Sequence, residues 1–135
     1  MRRPASLILL LNLLMVCGGC VTVEVGSGAG AGVGVYSYLN GDLKAVYAVP
    51  IQTIWPQVLT AMETLQLTID HRSVDGLGGL INLRRVDGTP ITVRLAPTPE
   101  DSTLIRVRVG ALGNKEESLR IHQIIQQIIQ RELGA

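Results

Sequence analysis

Much of the chain consists of short segments in which apolar and polar residues alternate. A period of two places the apolar side chains on one face of a strand, as for Ile105, Val107 and Val109. Turn-forming residues such as Asp87-Gly88 separate the segments. The pattern predicts five strands, over residues 43–49, 67–73, 80–85, 91–95 and 105–109.

Two other segments have the spacing of amphipathic helices. The first has Thr53 as its predicted N-cap, with Pro56 in the first turn. The second is predicted to begin at Asn114, which forms a capping-box pattern with Glu117, and to end at Gly134. Each helix has one apolar stripe, formed in the first by Trp55, Val58, Leu59, Met62 and Leu65 and in the second by Ile121, Ile124, Ile125, Ile128, Ile129 and Leu133.

The predicted order of elements is β-α-β-β-β-β-α. Strands with a single apolar face need a cover, and two helices with one apolar stripe each can supply it. We therefore expect an α+β domain of two layers, in which an antiparallel sheet is covered on one face by both helices. The other face of the sheet is expected to be open.

The first twenty residues have the layout of a secretory signal. Arg2 and Arg3 precede a short apolar run, and Gly18-Gly19-Cys20 closes it. The run is shorter than the roughly 20 apolar residues of a spanning helix, so we expect a cleaved signal rather than a permanent transmembrane helix. Residues 1–19 are therefore predicted to be a signal peptide.

Small residues that lead directly into a cysteine are typical of bacterial lipoproteins. The segment before Cys20 resembles a lipobox, although Cys17 stands where that pattern usually has Leu, Val or Ile. The resemblance implies a diacylglycerol on the Cys20 sulfur and hence a membrane anchor. Val21, rather than Asp, follows Cys20 and favours the outer membrane, with the domain facing the periplasm. The alternative is an ordinary cut near Gly19 that leaves Cys20 as a free thiol.

Glycine alternates with small residues over residues 26–34. This stretch could be a flexible tether, because glycine-rich chain loses much entropy when it is ordered. It could instead be a helix face, with Gly26, Gly30 and Gly34 four residues apart. A third interpretation is a dinucleotide turn, Gly26-x-Gly28-x-x-Ala31, but the βαβ unit that this chemistry needs is missing from the pattern. We expect a tether over residues 20–42 and a domain over residues 43–135.

Composition argues against several classes of function. The net charge is +1, with one Trp, three Tyr and no Phe, so we expect no nucleic-acid partner. His71 and His122 are the only histidines, and no paired histidine or cysteine motif completes a metal site. No metal and no cofactor are predicted.

Asp70, His71, Ser73 and Asp75 bring the residue types of a catalytic triad together in one segment. Side chains alternate between the two faces of a strand, so we expect these residues not to converge as a triad must. Both histidines are assigned structural roles. No catalytic residue is predicted, and the protein is expected not to be an enzyme.

Arg94, Arg106 and Arg108 are expected on the open face of the sheet, with Arg84 beside them. Like charges on adjacent strands are unfavourable by a few tenths of a kcal/mol. The face could be a solvated one, relieved by neighbours such as Asp70, or a basic surface for lipid head groups or an acidic partner. We take Arg94, Arg106 and Arg108 as the candidate interaction surface.

Short motifs spread over nearly the whole chain form a set: Tyr36-x-Tyr38, Gly41-Asp42-Leu43-Lys44, Tyr47-x-x-Pro50, Ile54-Trp55 and Asp87-Gly88-Thr89. Together with the lipobox and the Gly/Ala run, the set resembles a family of small Gram-negative lipoproteins classed as a domain of unknown function. That resemblance implies a location and a fold but no activity. The order of elements also resembles the helix-grip domains of an accessory lipoprotein in outer-membrane β-barrel assembly, a likeness of fold alone.

These observations lead to two hypotheses of function. The first is a non-enzymatic lipoprotein, anchored by Cys20, that acts as an interaction or accessory module for a protein of the cell envelope. The alternative is a carrier of a small or lipidic ligand, with its pocket between the sheet and the C-terminal helix.

Overall fold

A computed structural model describes residues 36–134. The predicted signal peptide, Cys20 and the Gly-rich stretch lie outside this part of the chain. In chain order the elements are β1 (Ser37–Leu39), β2 (Asp42–Tyr47), α1 (Ile51–Thr64), β3 (Thr68–Asp75), β4 (Gly78–Arg84), β5 (Pro90–Pro97), β6 (Thr103–Val109) and α2 (Lys115–Leu133).

The six strands form one sheet in the order β1-β2-β6-β5-β4-β3, and every neighbouring pair is antiparallel. Because side chains alternate, β5 and β6 direct one row of apolar residues into the core and a second, mostly polar row to the other face. Both helices pack on the apolar face. The α+β fold predicted from the sequence is confirmed.

Strand β1 was not predicted, so the sheet begins at Ser37, ahead of the expected domain start at residue 43. It forms a two-residue hairpin with β2 in which Leu39 pairs with Asp42. Asn40 and Gly41 make the turn, with φ angles of 54° and 86°. An Asn-Gly pair with two positive φ values is the preferred chemistry for a hairpin of this length, so the signal was present in the sequence.

Helix α1 begins earlier than predicted. Pro50, not Thr53, is the N-cap residue, because the Pro50 carbonyl accepts from the amides of Thr53 (3.0 Å) and Ile54 (2.9 Å). Pro56 is therefore the sixth residue of the helix rather than part of its first turn. The buried stripe of α1 includes Ile51, Ile54 and Ala61 in addition to the predicted Val58 and Met62.

Helix α2 begins at the predicted cap. The Asn114 side chain accepts from the Glu117 amide at 3.1 Å, and Gly134, with φ 66°, ends the helix. The Glu117 carboxylate does not return to the cap, since it pairs with Arg85 in the β4–β5 loop. Its stripe, with Ile121, Ile125, Ile128 and Ile129 buried, closes the core over the sheet.

Neither helix within residues 36–134 is both long enough and apolar enough to span a bilayer.

Candidate interaction surface on the open sheet face

The strand register places a row of long side chains across the face that carries no helix. Lys44 on β2 pairs with Arg106 on β6, Arg106 pairs with Arg94 on β5, and Arg94 pairs with Leu80 on β4. Directly paired residues of antiparallel strands lie on the same face. Arg94 and Arg106 therefore lie side by side on the open face, as predicted, and Lys44 extends the positive charge.

Arg108 lies on the same face but has a different environment. Its Nε lies 2.8 Å from Asp42 Oδ1, and its guanidinium also donates to the carbonyls of Asn40 and Ala111. These contacts join β6 to the β1–β2 hairpin and to the loop before α2. Arg108 therefore stabilises this end of the sheet, and its charge is already balanced.

Arg84, on the other side of the face, is also paired. Its Nη2 lies 2.9 Å from Asp70 Oδ2, and its Nε donates to the same oxygen. Lys44, Arg94 and Arg106 have no such partner: within residues 36–134 none of them forms an ion pair or a side-chain hydrogen bond. We call these three residues the cationic row. Arg84 and Arg108 are thus each paired with an aspartate, whereas the residues of the cationic row are not.

A groove of about 470 Å³ begins at the cationic row and runs toward the β3–β4 and β5–β6 turns. Its floor contains the small residues Gly78 and Ala96, and Leu77, Leu80 and Leu104 provide apolar surface around them. We call this the apolar groove. A second hollow of about 380 Å³ lies on the other side of the row, toward Asp42 and Arg108, and is mainly polar. Arg94 and Arg106 line both.

The prediction that the triad-like residues of β3 alternate between the two faces of the sheet is wrong. A register shift between Ile69 and His71 places His71 opposite Asn82 on the open face, Asp70 is on that face as well, paired with Arg84, and Ser73 and Asp75 follow there at alternate positions. Asp70, His71 and Ser73 are exposed. Among the contacts of residues 36–134 there is no hydrogen bond that links them to one another.

The other histidine, His122, lies in the core with none of its surface exposed. Its Nε2 is 2.9 Å from the Leu43 carbonyl, which can only accept, so Nε2 carries the proton and donates it. Nδ1 then accepts from Tyr47 Oη at 2.8 Å. The Tyr36 ring lies edge-on to the imidazole, with centroids 5.4 Å apart.

Burial sets the protonation state of this cluster. It lowers the pKa of His122 from 6.5 to about 4, against the smaller opposing effect of the hydrogen bond to Leu43, and it raises the pKa of Tyr47 and of Tyr36. His122 is therefore neutral at pH 7. Both ring nitrogens are used within the fold, which matches the structural role predicted for it.

The space between the sheet and α2 is filled with side chains. Val107, Ile125 and Ile129 are each at most 1% exposed. Two hollows, of about 260 Å³ and 470 Å³, do touch α2, but both lie at the start of the helix and are lined by the Arg85–Glu117 pair. The ligand pocket expected at the centre of this layer is thus occupied by the core.

A comparison with protein-family models matches residues 4–128 to the family described as protein of unknown function, DUF3568. The match begins just ahead of the apolar N-terminal run and continues into α2. No curated protein matches the chain. The chain belongs to the DUF3568 family.

Proposed function

We propose that this protein is a non-enzymatic lipoprotein that is anchored through Cys20 in the outer membrane, faces the periplasm and acts as an interaction or accessory module of the cell envelope. The observation that carries the proposal is the cationic row. It lies beside an apolar groove on the one face of the sheet that neither helix covers. On this face Arg84 and Arg108 are paired with aspartates, whereas the cationic row is not. Such a distribution of charge is suited to binding an anionic partner.

The N-terminal residues support the proposed location. The positive start, the apolar run and Gly19-Cys20 follow the pattern of a lipoprotein signal, and the family match includes residues 4–19 of this segment. Acyl chains anchor a protein at about 0.8 kcal/mol per buried CH₂, and two or more chains hold it firmly. An anchor of this kind would keep the open face close to the membrane and to its resident proteins.

Metabolic labelling with an alkyne fatty acid in a Gram-negative host tests the anchor. We expect the wild-type chain to be labelled and to fractionate with the outer membrane, and Cys20→Ser to lose both properties. Cys17→Ser is the matched control, because that residue would leave with the signal peptide, and it should keep the label. Absence of label on the wild-type chain, or loss of label in Cys17→Ser alone, would contradict the proposal.

A further inference from the structure

We propose that the open sheet face binds a single-chain anionic amphiphile, with its head group at Arg94 and Arg106 and its acyl chain in the apolar groove. This inference rests on the proposed function, since it names a ligand class for the same face. It also moves the carrier hypothesis from the space between sheet and helix to the opposite side of the sheet.

The cationic end of the site is formed by paired residues on adjacent strands. Arg94 and Arg106 are directly opposite each other in the β5–β6 register, and Arg106 is also opposite Lys44. Like charges at this separation repel. An anion between the two guanidinium groups removes that repulsion and gains charge-assisted hydrogen bonds, for which the planar fork of arginine is well suited.

The nearby carboxylates do not compete for this position. Asp75, which lines the apolar groove, accepts from the amides of Leu77 (2.8 Å) and Gly78 (3.0 Å) with its Oδ1, and so holds the β3–β4 turn. Asp42, which lines the second hollow, is paired with Arg108. Within residues 36–134, then, no carboxylate forms an ion pair with Arg94 or Arg106, and a bound anion can supply the counter-charge.

The apolar end has the lining needed for one acyl chain. Gly78 and Ala96 are small, and Leu80, Leu104 and Leu77, which is 88% exposed, add apolar surface. The volume of about 470 Å³ lies within the range of roughly 300–1,000 Å³ that is typical of small-ligand sites.

The apolar lining and the adjacent charges together favour a lipid monomer. The apolar residues of the groove border on two cations, Arg94 and Arg106, and the volume of about 470 Å³ is that of a small-ligand site rather than of an extended membrane-binding surface. One chain with one anionic head group satisfies both halves of the site at the same time. A zwitterionic head group of equal size would bring a second cation close to Arg94 and Arg106 and is disfavoured.

Photolabelling of the full lipidated chain in phosphatidylcholine nanodiscs tests the inference. The probe is lysophosphatidylglycerol that carries a diazirine in its acyl chain, and mass spectrometry maps the labelled residues. We expect label on the β4, β5 and β6 segments around Leu80, Ala96 and Leu104. The same probe with a phosphatidylcholine head group should label these segments at least tenfold less.

Two sets of variants test whether the arginines and the apolar groove are needed for binding. Arg94→Gln with Arg106→Gln should lower the labelling about tenfold or more, because each charge-assisted hydrogen bond contributes about tenfold in affinity. Lys115→Gln with Arg120→Gln, which removes two exposed cations of α2, should leave it unchanged. Ala96→Trp, directed away from the core, should fill the groove and abolish the label, whereas Gln127→Trp on α2 should not.

Equal labelling by the two head groups, or label spread over the whole domain, would overturn the inference. So would label that survives both Ala96→Trp and the double Arg→Gln change. Thermal unfolding of each variant shows whether it is folded. Co-elution of the chain with the nanodisc, recorded before the probe is added, reports on the anchor alone, so a failure of the proposed location and a failure of the proposed ligand give different results.

Discussion

Acidification from pH 7 to pH 4 is expected to remove about 3 kcal/mol of folding stability through His122 alone. The pKa of its imidazole is 6.5 in the unfolded chain and about 4 in the fold, and each pKa unit corresponds to about 1.4 kcal/mol. Because the folded pKa is the lower one, the unfolded state takes up the proton first. The contribution is fully present above pH 6.5 and is lost as the pH falls from 6.5 to 4.

Burial of the imidazole explains the direction of this effect. The ring is fully buried, so protonation places a charge where no water reaches it, and the hydrogen bond to Leu43 offsets only part of that cost. Among residues 36–134, Tyr47 and Tyr36 are the titratable groups in contact with the ring, and both are neutral at this pH. No carboxylate of residues 36–134 is hydrogen-bonded to the ring and able to stabilise an imidazolium.

Urea unfolding of the wild-type chain at several pH values between 7 and 4 checks this prediction. His122→Asn, which keeps a donor and an acceptor but cannot be protonated in this range, should be less stable at pH 7 and should show a shallower loss toward pH 4. His71→Gln removes an exposed imidazole and is the matched control for the substitution. Parallel curves for His122→Asn and the wild-type chain would show that His122 is not the group responsible.

Gly113→Ala is expected to lower the free energy of unfolding by about 2–5 kcal/mol. Gly113 has a φ of 84°, and a left-handed backbone costs a residue with a Cβ roughly 1–2 kcal/mol. In addition, the new Cβ would collide with the backbone of Gly41, including its carbonyl carbon at 2.8 Å. The backbone shifts that would remove this collision cost about 1–3 kcal/mol of stability in addition. At Gly113 and Gly41 the loop before α2 is in close contact with the β1–β2 hairpin.

Substitutions at two other glycines separate the cost of the positive φ from the cost of the contact with Gly41. Gly88 in the β4–β5 loop has a φ of 88° with open space around it, so Gly88→Ala should cost only about 1–2 kcal/mol. Gly76 has neither a positive φ nor a neighbour within 4 Å, and Gly76→Ala should change stability by less than about 0.5 kcal/mol. Equal effects at Gly113 and Gly88 would mean that the contact with Gly41 contributes nothing.

The layered fold could be predicted because its strands and helices follow from patterns of nearby residues. Ile105, Val107 and Val109 alternate as a half-buried strand must, and the Asn114 cap follows from a side chain and an amide three residues apart. Strand β1 was missed because three residues give too little alternation, although Asn40-Gly41 marked its turn. The register shift in β3 was not predictable from strand periodicity, which assumes an uninterrupted ladder.

The candidate surface could be predicted only in part. Periodicity placed Arg94, Arg106 and Arg108 on one face, but it could not show which of them is neutralised. That distinction depends on Asp42, 66 residues before Arg108 in the chain, and so on the long-range pairing of β2 with β6. The apolar groove beside the arginines likewise requires the register that brings Gly78, Ala96 and Leu104 together.

Site-specific photo-crosslinking in living cells tests most directly whether the open face is the working surface of the protein. A benzoylphenylalanine replaces Val46, which is exposed on the open face, or Gln127, which is exposed on α2. We expect a defined crosslinked envelope component from position 46 and none from position 127. Reversal of Arg94 and Arg106 to Glu, with Arg108 kept, should abolish it. Crosslinking that is equal from both positions, or that persists after the charge reversal, would show that the open face is not the binding surface.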